Sequence, residues 1–363
     1  MAGIKFSFEP SPDWRRLDQC LRRRGEPDRV PFFELFVNQP VMEAVLGRKF
    51  PLDNSTPENT RLRARGLADF YLRTGYDFVA TNSSYGFPRR KNLATDNTGI
   101  GGGQREFVNT AVSTIPDRAA FEAYRWPEPR DEHFAPVEAA QAALPAGMKV
   151  KPLGPGGVLE NVMWLMGYEN LSFALADDPR LVEQIFAAVG SRLVEVFRRF
   201  AAFEATEFIN LGDDMGFKTQ TMLPPELMRE HVFPWQRRIV EVIHARGKVA
   251  VLHACGNLGA VMDDIIACGW DAKHSFEDVI MPVGEVKRRW GGRIALCGGL
   301  DVDKLCRLSV EGVGDYTRAL VRECAPGGGW CLGSGNSIAD YVPVEKYAAM
   351  LEAGRAAGKY PIG

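Results

Sequence analysis

KVAVLHAC, residues 248–255, is a run of apolar and β-branched residues that ends in a histidine and a cysteine two places apart. Its composition and length predict a buried strand, and its end predicts chemistry. Working outward, seven more short runs of this kind punctuate the chain. They are RVPFFELF (29–36), YDFVATNS (76–83), MKVKPLGP (148–155), EFINLGDD (207–214), AKHSFED (272–278), RIALCGGLD (293–301) and GWCLGSG (329–335). Helix-like stretches separate most of them. Asp177 to Glu204 and Ser309 to Glu323 read as helices, and PPELMREHVFPWQRRIVEVIHARGK reads as another that Gly247 stops.

Eight strands alternating with helices predict a single (β/α)8 TIM barrel, an α/β fold, spanning residues 1–363. Residues 84–147, with pieces such as NTGIGGGQ and YRWPEPRDEHF, read as an excursion after strand two with a short helix or hairpin of its own. A doubly wound open sheet ranks lower, because no glycine-rich fingerprint follows the first strand. GSGNSI falls short of GxGxxG, and GDDMGFKT is not a phosphate-binding loop.

Composition narrows the function. The chain is 45% hydrophobic and 25% charged with a net charge of −2, which gives no reason to expect nucleic acid or an anionic membrane as partner. No apolar run approaches a bilayer span, and MAGIKFSFEPSPDWRR has no signal-like core, so a cytoplasmic enzyme is the expectation. The oligomeric state stays open, a homodimer included. Seven widely spaced cysteines without a CxxC argue against a disulfide framework or a zinc ribbon. Any metal must draw its ligands from distant parts of the fold.

In such a barrel the chemistry gathers at the C-terminal ends of the strands. Those ends carry Glu34, Asn82, Asp213 with Asp214, His253 with Cys255, Glu277, Asp301 and Cys331. Residues two apart on a strand share a face, roughly 6–7 Å apart along it. A tetrahedral zinc, with ligand bonds of about 2.1 Å to nitrogen and about 2.3 Å to sulfur, could reach both His253 and Cys255 where the strand end bends. Cys331, on the last strand, is the expected third ligand, giving H-x-C followed by a distant C. Against this, a free strand cysteine is usually a small hydrophobe.

Several motifs carry a resemblance. HACG at the fifth strand end, GGLD after the seventh, APGGGWCL before the last, GPGG with its following helix, and GDDMG with PPELMREHVFPW resemble the uroporphyrinogen decarboxylase superfamily. The resemblance covers most of the chain and is weakest over 84–147. It implies one (β/α)8 barrel. True decarboxylases of that superfamily carry an Arg-Gln-Ala-Gly-Arg motif and an aspartate at the second strand end. Here the corresponding stretches read ELFVNQPVMEAVLGR and ATNSSYG, without either. The other branch, similar to methylcobamide:coenzyme M methyltransferases, binds zinc through H-x-C and a distant C. The resemblance places those ligands at His253, Cys255 and Cys331.

It also implies zinc as cofactor and a corrinoid (methylcobalamin, or a separate corrinoid protein) as co-substrate. The methyl group would move to or from a thiol, methoxy or methylamine compound. Asp213, Asp214 and Glu277 are the candidates for orienting, proton-donating or fourth-ligand roles. Glu34, Asn82, Trp164, Phe217 and Asp301 are the candidates for the substrate wall. His231, His244 and His274 have no partner pattern and read as core or surface residues. The competing readings are a metal-free tetrapyrrole decarboxylase and a barrel that only binds a tetrapyrrole or corrinoid.

Overall fold

The computed structural model describes residues 3–90, 92–95, 104–107 and 113–362. Seven strands form one parallel, curled sheet. They are β1 (Phe78–Asn82), β4 (Lys149–Leu153), β5 (Phe208–Gly212), β6 (Val249–His253), β7 (Ala272–His274), β8 (Ala295–Cys297) and β9 (Trp330–Cys331), adjacent in that order. Between β1 and β4, β2 (Asn92–Thr95) and β3 (Gln104–Phe107) pair antiparallel, and helices Arg118–Ala123 and Ala135–Ala142 follow. All of β6 is buried, as expected for a parallel strand covered on both faces.

Where the sequence predicts a first barrel strand over 29–36, the structure shows an arm instead. It touches the last strand through isolated parallel bridges, Phe32 to Leu332 and Val37 to Ile338. The Phe33 amide donates to the Leu332 carbonyl at 2.8 Å, and the buried Lys151 ammonium donates to the Leu35 carbonyl at 3.0 Å. The complete eight-stranded barrel is therefore replaced, among the described residues, by a seven-stranded curled sheet with a bridged arm. Pro31, which has no amide hydrogen to give to a ladder, helps explain the sparse pairing.

Helices cover the outside of the sheet, and their ends follow the sequence. Asp178 caps the helix Pro179–Ala202 by accepting the Leu181 amide at 3.1 Å, with proline in the first turn. Ser309 caps Val310–Cys324 in the same way. The helix Trp14–Leu21 packs against β9. No helix among the described residues is long and apolar enough to cross a membrane.

Candidate metal centre

The parallel register sets Gly212 of β5 beside His253 of β6, and His253 beside His274 of β7. The β5 and β6 strands thus end level, and the loops beyond them meet. Gly256 has φ +89°, and a Cβ there would overlap the Gly216 carbonyl. Only glycine permits that approach of backbone to backbone. The approach brings Asp214 onto Cys255, whose backbone amide donates to Asp214 Oδ1 at 2.8 Å.

Three donors converge as a result. His253 Nε2 lies 3.4 Å from Cys255 Sγ and 3.5 Å from Asp214 Oδ1. One nitrogen, one sulfur and one oxygen all lie within 4.8 Å of one another. This is the one such group of histidine, cysteine and acidic side chains among the described residues. Two further side chains face the sulfur: Ser275 Oγ at 3.4 Å, and Asn336 Nδ2, which donates to it at 3.2 Å. Burial, and after it the Asp214 carboxylate, push the Cys255 thiol up. Burial would also raise the Asp214 carboxyl, but the His253 ring and the Cys255 amide hold it well below the usual carboxylate range. A thiol beside a carboxylate resists ionisation; a divalent cation between them would reverse that preference. Imidazole, thiolate and carboxylate at this spacing are a zinc-type donor set.

Cys331 is not part of it. Its sulfur is fully buried in the layer between sheet and helices, 3.5 Å from Cys20 Sγ, and burial with the neighbouring Cys20 and Cys297 thiols pushes its pKa up. The expectation of a third thiolate ligand is therefore corrected. Cys331 pairs in register with Cys297, on the strand face that meets the helix Trp14–Leu21. The residue that does reach Cys255 from this end of the chain is Asn336, five positions on, in the loop after the strand.

Other expected site residues divide. Asp213 faces away from the donors. It is fully buried and accepts the Val158 and Glu160 amides, each at 3.0 Å, and the Gln236 side-chain amide at 2.8 Å. It caps the helix Val158–Met166, and burial raises its pKa to about 6. Asp301 likewise caps Val302–Arg307 and accepts the Asp278 amide. Glu34 is no open wall. It is fully buried, and its carboxyl oxygens accept the Ser334 amide at 2.7 Å and the Ser334 hydroxyl at 2.6 Å.

Asn82 is exposed at the end of β1 and lines a cleft of about 500 Å³ with Phe36, Asn38, Arg63 and Tyr71. Trp164 carries the Arg89 guanidinium 4.1 Å over its ring, and Phe217, 43% exposed, packs edge-on against Tyr168. Glu277 stands outside the three-donor group, in the wall of a second pocket with Asn257, Met262, Lys273, Ser275 and Trp290. Sequence reasoning missed Asn336, Ser275 and His274. Strand register, which the sequence does not report, brings His274 beside His253, and no pattern in the sequence pointed to the other two.

With this geometry in view, comparison with known proteins is decisive for the family. The uroporphyrinogen decarboxylase (URO-D) family pattern matches residues 154–357, more than half of the chain. The chain belongs to the uroporphyrinogen decarboxylase family. The matched region contains all three donors. A uroporphyrinogen decarboxylase of Thioalkalivibrio sulfidiphilus (strain HL-EbGR7) is 28% identical over 53% of this chain and 53% of its own length. The methylcobamide:CoM methyltransferase MtaA of Methanosarcina barkeri (strain Fusaro / DSM 804) is 27% identical over 41% of this chain and 43% of its own. The chain thus matches about half the length of these relatives or less. A solved methyltransferase from Methanosarcina mazei shares the fold across 94% of this chain and 97% of its own, with a TM-score of 0.67 at 19% identity.

Proposed function

We propose that the chain is a zinc-dependent methyltransferase that moves a methyl group between a corrinoid and a small thiol, or from a methoxy- or methylamine-type compound to the corrinoid. The observation that carries this reading is the convergence of Asp214, His253 and Cys255 at the ends of β5 and β6. The methylcobamide:CoM methyltransferases among the relatives support the reaction class.

Asp214, His253 and Cys255 would hold the ion, replacing the expected His-Cys-Cys set by His-Cys-Asp. When bound, zinc supplies Lewis acidity and lowers the proton affinity of a coordinated thiol. The chain's own residues do the rest. Asn336 donates to Cys255 Sγ, which favours and orients the thiolate. Asp214 offers its carboxylate while its other contact, the Cys255 amide, fixes its position. Glu277 and Lys273 stand in the neighbouring pocket wall, where Phe276, Met281 and Trp290 give an apolar lining suited to a small substrate's hydrocarbon. Glu277, in that wall, would exchange a proton with an incoming thiol. The corrinoid is a co-substrate, free or carried by a separate protein.

Metal analysis of the purified chain, followed by methylcobalamin turnover with thiols, tests the reading. The expected result is about one zinc per chain, lost on His253→Ala, together with thiol-dependent demethylation of methylcobalamin. A chain that neither contains nor takes up zinc overturns it. It would leave the metal-free decarboxylase, which the Thioalkalivibrio relative favours, as the stronger reading.

A further inference from the structure

His253 Nδ1 lies 2.8 Å from Nδ1 of His274. Two ring nitrogens at that distance share one hydrogen, so one donates and the other accepts. The far side of His274 decides which. Its Nε2 faces the Ser334 carbonyl oxygen at 3.2 Å. A carbonyl can only accept, so the hydrogen of His274 sits on Nε2. A second proton on Nδ1 would make His274 a fully buried imidazolium. Full burial opposes that charge. The ring is therefore neutral, and its Nδ1 lone pair is the acceptor. It follows that His253 donates through Nδ1–H. With Nδ1–H given to His274, the one lone pair that the His253 ring can offer a metal is that of Nε2, the atom that faces Cys255 and Asp214.

We propose that His274 is a positioning residue that fixes His253 in the Nδ1–H form and so commits His253 Nε2 to the metal ion. The ion rests on the function proposed above; the tautomer does not. The surrounding structure holds His274 for this task. Strand register sets it level with His253. The Phe33 ring lies 5.4 Å from its ring. Gly298, at φ +79°, leaves room that a Cβ would fill, 3.0 Å from His274 Nε2. The Ser334 carbonyl is placed in turn by Glu34, which grips both the amide and the hydroxyl of Ser334. The hydrogen-bonded path from Glu34 to Cys255 thus runs through Ser334, His274 and His253.

The partner behind a zinc-bound histidine is commonly a carboxylate or a backbone carbonyl. Here it is a neutral imidazole, which orients the ring without adding negative charge.

The test has two arms. In the first, the metal-free full chain is labelled with ¹⁵N-histidine and its five histidines are assigned by single substitution. At pH 8, His253 should show a protonated Nδ1 and a lone-pair Nε2. In the second, zinc affinity is measured by chelator competition. His274→Phe keeps the ring and removes the acceptor, and should weaken zinc binding about 10–100-fold. His274→Gln, which restores an acceptor oxygen, should recover most of the loss. His253 in the Nε2–H form in the wild-type spectrum overturns the proposal, and so does His274→Phe binding zinc like the wild type. Should His274→Phe fail to fold, the wild-type spectrum alone decides. An Nδ1–H His253 in a chain that takes up no zinc upholds the tautomer and defeats the metal reading.

Discussion

Cys255 and Cys331 both sit at the end of a strand in the same parallel sheet, and they meet opposite fates. Cys255 lies just past β6, among a histidine, a carboxylate, a serine hydroxyl and an asparagine amide. Cys331 is the last residue of β9, and its sulfur touches another sulfur in the apolar layer beneath a helix. Residue type does not separate them. What separates them is which face of the sheet the side chain takes, and whether the residue is still in the strand or already in the loop. Polar company collects where loops meet at the rim. Between sheet and helix, a thiol is only a small hydrophobe.

The sharpest way to break this contrast is to remove the two sulfurs in turn. Cys255→Ser should abolish zinc retention and lower methyl transfer by at least about 100-fold, since an oxygen replaces the soft ligand. Cys331→Ala should leave zinc content unchanged, with a stability cost of about 1 kcal/mol for the lost packing, read from urea melts. Zinc loss in Cys331→Ala, with Cys255→Ser unaffected, would invert the assignment. Asp214→Asn sharpens the rim side. It keeps an oxygen near the ion but removes the charge, and should weaken zinc by about 10–100-fold in chelator competition.

The buried side has its own signature in pH. Burial raises the Glu34 pKa from 4.5 to about 8, against the opposing bonds from Ser334 and the charge of Lys151. Between those two values the native state keeps a proton that the unfolded state releases. Glu34's contribution to stability is thus fully present below pH 4.5 and is lost as pH rises towards 8. Glu34→Gln removes this loss. Relative to wild type the variant should gain on the order of a few kcal/mol between pH 5 and pH 8. Parallel urea melts at the two pH values that show no relative gain would mean that Glu34 is ionised throughout.

The same contrast explains what could be read from the sequence. Seven of the eight strand runs hold strands, because short apolar runs between helix patterns are a strong signal. The run at 29–36 is equally apolar, yet it pairs only through isolated bridges; sequence does not report register. His253 and Cys255 were legible because both lie at one strand end, two residues apart. Cys331 misled because the two-residue alternation says which residues share a face without saying which face that is. Asn336 was hidden because its reach comes from a loop after a two-residue strand. Asp213 and Asp214 are neighbours with opposite duties, one capping a helix and one facing the donors, and no periodicity distinguishes them.

Ser275 carries the geometry one step further. It has φ +90°, a conformation rare for a residue with a side chain, and its hydroxyl faces Cys255 Sγ. Ser275→Gly would relieve that strain and should make the protein more robust by about 1 kcal/mol, while taking the hydroxyl away from the sulfur and slowing turnover. Placed between His274 and the rim, this residue marks where the chain has accepted a less comfortable backbone in exchange for a polar group in reach of the Cys255 sulfur.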